Sequence, residues 1–188
     1  EITERCRYLR VIACEMSRII SHLVWLGTTG IDLGAFTPFL WMFQQRELIY
    51  NLQEAWTGAR LTTSVSRVGG MLADVPDGWE AGLREFVRNF PSVLREVDTM
   101  FTNNGIWCGR TQGVGVIGPE EAINYSLSGP MLRASGVDYD VRKDRPYLGY
   151  DEFDFDVPVG QYGDIYDRYR VRLEEMFQST RILEQALD

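Results

Sequence analysis

The sequence predicts a mainly α fold, a helical bundle with a few short β-strands. Stretches near residues 2–26, 79–102 and 164–187 carry apolar residues at a helical period. A further stretch from Pro38 opens apolar on every side and then turns amphipathic. Extended patterns are short and confined to three places.

The first helical stretch sets Leu9, Ile12, Met16, Ile19, Ile20 and Leu23 on one face. Glu4, Glu15, Arg18 and His22 fall on the opposite one. Thr37-Pro38 reads as the next start, a hydroxyl N-cap followed by proline in the first turn. Pro38 to Phe43 is then expected to be buried, and Leu48, Ile49, Leu52 and Trp56 continue the helix to a stop at Gly58. "RLTTSVSRVGG" (60–70) is β-branched and breaks at a double glycine, so it is a short strand or an extended loop. The stripe of 79–102 is Leu83, Phe86, Val87, Phe90, Val97, Met100 and Phe101, and Pro91 is expected to kink or divide it. "GVGVIGPEEAINYSL" reads as a strand, then a helix from Pro119. "EFDFDVPVG" alternates, with Phe153, Phe155, Val157 and Val159 on one side of an edge strand. Tyr169, Leu173, Met176, Phe177, Leu183 and Leu187 stripe the closing helix.

The 188 residues are 45% hydrophobic and 24% charged, which predicts a single domain over 1–188 with a proper core. A formal charge of −8 argues against nucleic acid as a partner. Three cysteines, Cys6, Cys14 and Cys108, make no CxxC pair and suit a reducing compartment. The longest strongly apolar run, Gly30 to Phe43, is shorter than the ~20 residues of a membrane span. The chain opens on Glu1 inside a helical pattern, as a piece cut from a longer protein would.

Candidate chemistry is sparse. His22, the lone histidine, reads as a structural hydrogen-bonder on a charged face. No metal-ligand spacing is present, and "GVGVIG" has the wrong glycine spacing for a dinucleotide loop, so neither a metal nor NADH is expected on this chain. "LRASGVDYDVRKDRPYLGYDEF" sets Arg133, Arg142, Lys143 and Arg145 against Asp138, Asp140, Asp144 and Asp151. It is either a solvated loop laced with weak ion pairs or a docking surface. Asp32 is the sharper question, an acid entering a run from Leu33 to Phe43 that carries no charge. If the first helix continues past Gly27, then Val24, Thr28 and Asp32 are successive i, i+4 neighbours, a strip suited to the wall of a pocket for an amphipathic ring. If Gly27 and Gly30 end it, Asp32 merely turns the chain.

"EMSRIISHL", "GIDLGAFTPFLWMFQQREL", "GARL", "RVGG", "GVGVIGPEEAINYSLSGPMLRASGVDYDVRK" and "YDEFDFDVPVG" occur in that order. Together they resemble the D subunit of NADH:quinone oxidoreductase, the respiratory complex I component related to the [NiFe] hydrogenase large subunit. The resemblance covers the whole chain as a middle portion, truncated at both ends, and implies a helical bundle of the [NiFe]-hydrogenase large-subunit type. It implies a peripheral-arm subunit at the cytoplasmic face of the membrane, passing electrons to quinone from a [4Fe–4S] cluster held by a small partner subunit. The C subunit and a membrane-arm subunit are further implied partners, so membrane association comes through partners only.

The resemblance also implies residues. Asp32 matches the acid that pairs with a headgroup histidine lying outside this fragment. Thr28 and Val24 match pocket-wall positions. Many members carry a histidine after "GARL", near the cluster; here that position is Thr62, which cannot titrate, and this points to a low-potential quinone such as menaquinone. Arg67 and Arg133 match cluster-proximal or interface positions. The rival readings are an energy-converting [NiFe] hydrogenase large subunit and a non-catalytic assembly scaffold. The isolated fragment is expected to be inactive.

Overall fold

The computed structural model describes residues 2–188. In chain order the elements are α1 (Glu4–Asp32), α2 (Phe36–Thr57), β1 (Ser66–Arg67), β2 (Gly70–Met71), α3 (Trp79–Phe101), α4 (Gly105–Thr111), α5 (Pro119–Asn124), α6 (Gly129–Ala134), α7 (Val141–Asp144), a 3-10 turn at Tyr150–Glu152, and α8 (Ile165–Leu187). The fold is mainly α. The one sheet among the described residues is an antiparallel hairpin with Ser66 opposite Met71 and Arg67 opposite Gly70. The chain forms two compact units, one of residues up to Val93 with Ser179–Asp188, the other of Leu94–Gln178.

In the first unit, Thr3 caps α1, its side chain accepting from the Cys6 N–H. The helix runs through Gly27 and Gly30 to Asp32, past the limit its periodicity predicts. Gly27 is where Phe39 and Phe43 of α2 come close; a Cβ there would meet both rings at 3.4 Å. Glu15 and His22 correct the reading of a charged outer face, for both are buried. The reason is packing on a second side. Ser179 Oγ, from α8, donates to Glu15 Oε2 at 2.6 Å, and Arg18 Nε does so at 3.2 Å.

Helix α2 begins at Phe36 with Ala35 as N-cap, not at Thr37. Pro38 still lies in the first turn, where helix N–H groups have no partner to lose. The expectation that Pro38 to Phe43 is buried all round also fails. Pro38 and Met42 are buried, but Leu40 is 52% exposed and Phe36, just before, 60%. The end at Gly58 is as expected. Trp56 packs on Trp79 with centroids 5.2 Å apart, and Trp79 Nε1 donates to the Leu52 carbonyl at 2.7 Å. Pro91 does not divide α3, which continues through it from Trp79 to Phe101.

The second unit replaces two expected strands with extended loops. At 113–117 the Ile165 N–H donates to the Val114 carbonyl and the Ile117 N–H to the Gly163 carbonyl, but positive φ at Gly113 and Gly115 breaks the strand conformation. At 153–159 the alternation is real for buried Phe153 and Phe155, yet Val159 is exposed. There the Asp156 N–H donates to the Gln178 side chain at 2.9 Å rather than to a neighbouring strand.

Gly163 has φ +68, and a Cβ on it would stand 2.2 Å from the Ile117 carbonyl oxygen. Gly163→Ala is therefore expected to destabilise by roughly 2 kcal/mol or more. Gly27→Ala, in helical backbone with ordinary contact distances, should be neutral or stabilise by up to about 1 kcal/mol. Denaturant midpoints of the two variants check the contrast.

Candidate functional site

The end of α1 is closed by a local backbone device. The Ala35 N–H reaches the Gly30 carbonyl at 2.7 Å, and the Gly34 N–H reaches that of Ile31 at 2.9 Å, with Gly34 at φ +89. This is a Schellman stop, which needs glycine at the left-handed position. The helix therefore passes Gly27 and Gly30, and Val24, Thr28 and Asp32 do share one face at i, i+4 spacing. Val24 is half-buried, and Thr28 and Asp32 are exposed within this chain. Thr28 commits its hydroxyl proton to the Val24 carbonyl, 2.8 Å away.

Asp32 lies in the last turn of α1, which contains no basic residue. A carboxylate at the negative end of a helix dipole is disfavoured by about 0.3–1 kcal/mol, whereas a cation there is favoured. Carboxylate and helix end together thus make a place suited to a positive charge. Apolar residues flank this acid in the sequence, with Ile31 and Phe36 both exposed. The run's composition is plain from the sequence, but it signals uncovered surface here rather than burial within the chain.

Thr62 lies in the exposed segment that follows α2, at φ +52, with its hydroxyl donating to the Leu61 carbonyl. A β-branched residue in the left-handed region is strained, whereas histidine and asparagine adopt it more readily. Arg67 ends β1, and its carbonyl accepts from Arg10 Nη2 at 2.6 Å; the Gly70 carbonyl accepts from the same nitrogen at 2.7 Å. One guanidinium on α1 thereby holds both strands of the hairpin.

Arg133 belongs to the other unit and is buried there. It donates to Glu175 Oε1 from Nε (2.9 Å) and Nη2 (2.5 Å), and from Nη1 to the Tyr139 carbonyl at 3.0 Å. Asp140 lies 3.6 Å from Arg133 Nη1 and accepts from Arg142, whose guanidinium rests 4.7 Å over the Phe155 ring. The 133–152 stretch is thus not a solvated loop throughout: Arg133, Asp140 and Arg142 are interior, while Asp138, Lys143, Asp144, Arg145 and Asp151 are exposed. The sequence cannot signal this, because the partner Glu175 is far away in the chain.

Among the described residues no three His, Cys, Asp or Glu side chains gather as a metal site would require, and no helix is long and apolar enough to cross a membrane. The cysteines are free thiols.

Residues 32–188 match the family described as respiratory-chain NADH dehydrogenase, 49 Kd subunit, and the chain belongs to it. It is 52% identical over 187 residues to the D subunit of the NADH-quinone oxidoreductase of Methylacidiphilum infernorum, covering all of this chain and 45% of that protein. It is 51% identical to the corresponding D subunit of Bacillus mycoides, covering 51% of it. It is also 50% identical to the second C/D subunit of the NADH-quinone oxidoreductase of Aquifex aeolicus, covering 32%. The chain spans about half or less of these curated relatives, and all of it is covered in each case.

The buried charges give a stability prediction. Burial opposes the ionised form of Asp140, but hydrogen bonds and charge from Arg142, aided by Arg133, hold its carboxyl below the usual carboxylate range. A depressed carboxyl stabilises the fold above its unfolded value, near pH 4, and that contribution is lost as pH falls through the folded value. Asp140→Asn should flatten the loss of stability below about pH 4. Arg133→Met, which removes two of the hydrogen bonds that buried Glu175 accepts, should destabilise the fold at neutral pH by about 1–3 kcal/mol. Unfolding curves across pH measure both.

Proposed function

We propose that this chain forms a wall of the quinone headgroup pocket in respiratory complex I. In this reading it lies in the peripheral arm at the cytoplasmic face and receives electrons from the [4Fe–4S] cluster of a small neighbouring subunit. The observation that carries the proposal is Asp32, an acid in a last helical turn that holds no basic residue, on one strip with Val24 and Thr28. Relatives named as D subunits of NADH-quinone oxidoreductase favour quinone chemistry over hydrogenase chemistry, and a relative named as a C/D subunit supports the C subunit as a neighbour. Attachment to the membrane arm would come through partner subunits.

The chemistry follows from charge. Asp32 holds a histidine, supplied from elsewhere in the subunit, as imidazolium, because a nearby carboxylate raises an imidazole pKa. That imidazolium protonates reduced quinone as a general acid. Once the proton has left, Asp32 loses its counter-charge at the negative end of α1 and is driven to move or to bind another cation. The released electrostatic energy is then available for conformational work that drives ion translocation. Val24 supplies the apolar wall, and Thr28, its proton committed to the helix, offers a hydroxyl oxygen as acceptor.

Asp32→Asn in the assembled enzyme should lower quinone reduction about tenfold or more. NADH oxidation by an artificial acceptor should be retained. Quinone turnover at the parental rate would retire the proposal.

Thr62 cannot exchange a proton, so the neighbouring cluster's midpoint potential should be low and vary little with pH, as suits menaquinone. A redox titration followed by electron paramagnetic resonance, repeated at several pH values, measures this. A full one-proton slope through neutrality would contradict it.

A further inference from the structure

Within the unit of residues 94–178, Trp107 and Tyr169 are buried and pack edge to face, with centroids 5.2 Å apart. Phe101 stacks on Trp107 at 4.1 Å and meets the edge of Tyr169 at 6.0 Å. The Tyr169 hydroxyl lies 2.9 Å from Thr102 Oγ1, and Thr102 donates its own proton to Asp98 Oδ1. A hydroxyl has one proton, so Thr102 must accept from Tyr169, and the phenol is the donor. Arg170 Nη1 donates to Asp98 at 2.5 Å and to Thr102 at 2.9 Å. The Asp98 and Arg170 side chains are 41% and 42% exposed, so the far end of this chain of bonds meets water. Trp107 Nε1, by contrast, is buried with no acceptor among the described residues.

These two aromatic groups differ in where a proton can go. A phenol yields an electron readily only when its proton leaves with it, because the oxidised phenol is a strong acid. Burial pushes the Tyr169 phenol up to about 12, so at neutral pH it rests fully protonated and cannot lose the proton beforehand. It does have an exit, from Tyr169 to the Thr102 oxygen and from Thr102 to the Asp98 carboxylate. The Trp107 indole has none, so an electron vacancy there keeps its charge and passes to the ring beside it.

We propose that Tyr169 is a redox-active tyrosine, which gives one electron through Trp107 to a radical oxidant while its proton passes through Thr102 to Asp98. The oxidant, an oxygen-centred radical in the cell, gains the electron and becomes its anion. Tyr169 becomes a neutral phenoxyl radical; its O–H bond breaks, an O–H bond forms on Asp98, and nothing else changes. A thiol-class reductant returns one electron, and the proton travels back. The unit thereby holds an oxidising equivalent on Tyr169 while its proton leaves toward water at Asp98, until the reductant restores both, an activity independent of the quinone reading.

The test uses the assembled complex, oxidised by photogenerated ruthenium(III) tris(bipyridine) and examined by electron paramagnetic resonance. Tyr169→Phe should remove most of the tyrosyl signal, since Tyr169 would be its main carrier. Asp98→Asn and Thr102→Val keep the ring but break the proton exit. They should slow radical formation about tenfold or more and abolish its solvent deuterium effect. NADH oxidation by an artificial acceptor serves as the assembly control and should not change. If Tyr169→Phe fails to assemble, the other two variants decide. An undiminished signal in Tyr169→Phe, or parental rates in both relay variants, overturns the proposal.

Discussion

A side chain at position 27 of even one carbon would touch the rings of Phe39 and Phe43. Helices α1 and α2 therefore pack closely at Gly27, at a spacing where a methyl group would still make ordinary contact. Glycine inside a helix costs about 1 kcal/mol relative to alanine, and α1 carries two, both buried. The aromatic packing at Gly27 offsets that local cost, so the helix survives until Gly34 supplies a left-handed residue. Had α1 ended at Gly27, Thr28 and Asp32 would not share a face with Val24. The geometry of the candidate site thus depends on a contact that none of its own residues makes.

Both units take charges inside and pair them there. In Leu94–Gln178, charges are taken inside and satisfied there. Glu175 receives two bonds from Arg133, Asp140 is held by Arg142, and the Asp167 carboxylate accepts the successive N–H groups of Gln161, Tyr162 and Gly163. Such pairs stabilise little over an apolar core of equal volume, but breaking one strands a charge. They fix extended loops that lack strand partners. The other unit likewise buries Glu15 against Ser179 and Arg18, and leaves Asp32 at the surface at the wrong end of a helix dipole.

Periodicity makes most of the fold legible, because long helices advertise their buried face. The boundaries of α3 and α8, the stop at Gly58 and the start of α5 at Pro119 all follow from stripe, cap or proline. Three things are hidden. Gly27 and Gly30 look like breakers, since a glycine inside a buried helix has the same letter as one that ends a helix. Phe153 and Phe155 alternate as a strand would, but hydrogen-bond partners decide whether extended chain becomes sheet, and periodicity does not report partners. Glu15 looks solvated because its partner Ser179, in the C-terminal part of α8, is remote in sequence. For the site, the strip is legible as one of two alternatives. Its setting among exposed Phe36 and Leu40 is not, because apolarity does not say which protein covers it.

Natural sequences are locally consistent with their folds except where something else is selected, so the inconsistencies are informative. The first unit holds three that nothing within it relieves. A carboxylate sits at a helix C-terminus, a β-branched Thr62 adopts positive φ, and large apolar side chains stand uncovered at the start of α2. Each is unfavourable for the chain alone, and each would be relieved by contact with another protein surface: a cation for Asp32, a fixed environment for the Thr62 segment, an apolar cover for Phe36 and Leu40. The second unit carries such features too, with Ser126 and Leu148 at positive φ, Ile106, Ile123 and Tyr125 exposed, and Trp107 Nε1 buried without an acceptor among the described residues. What singles out the first unit is the chemistry of one feature, because a carboxylate at a helix C-terminus is relieved by a cation from outside the chain, which is the role proposed for Asp32.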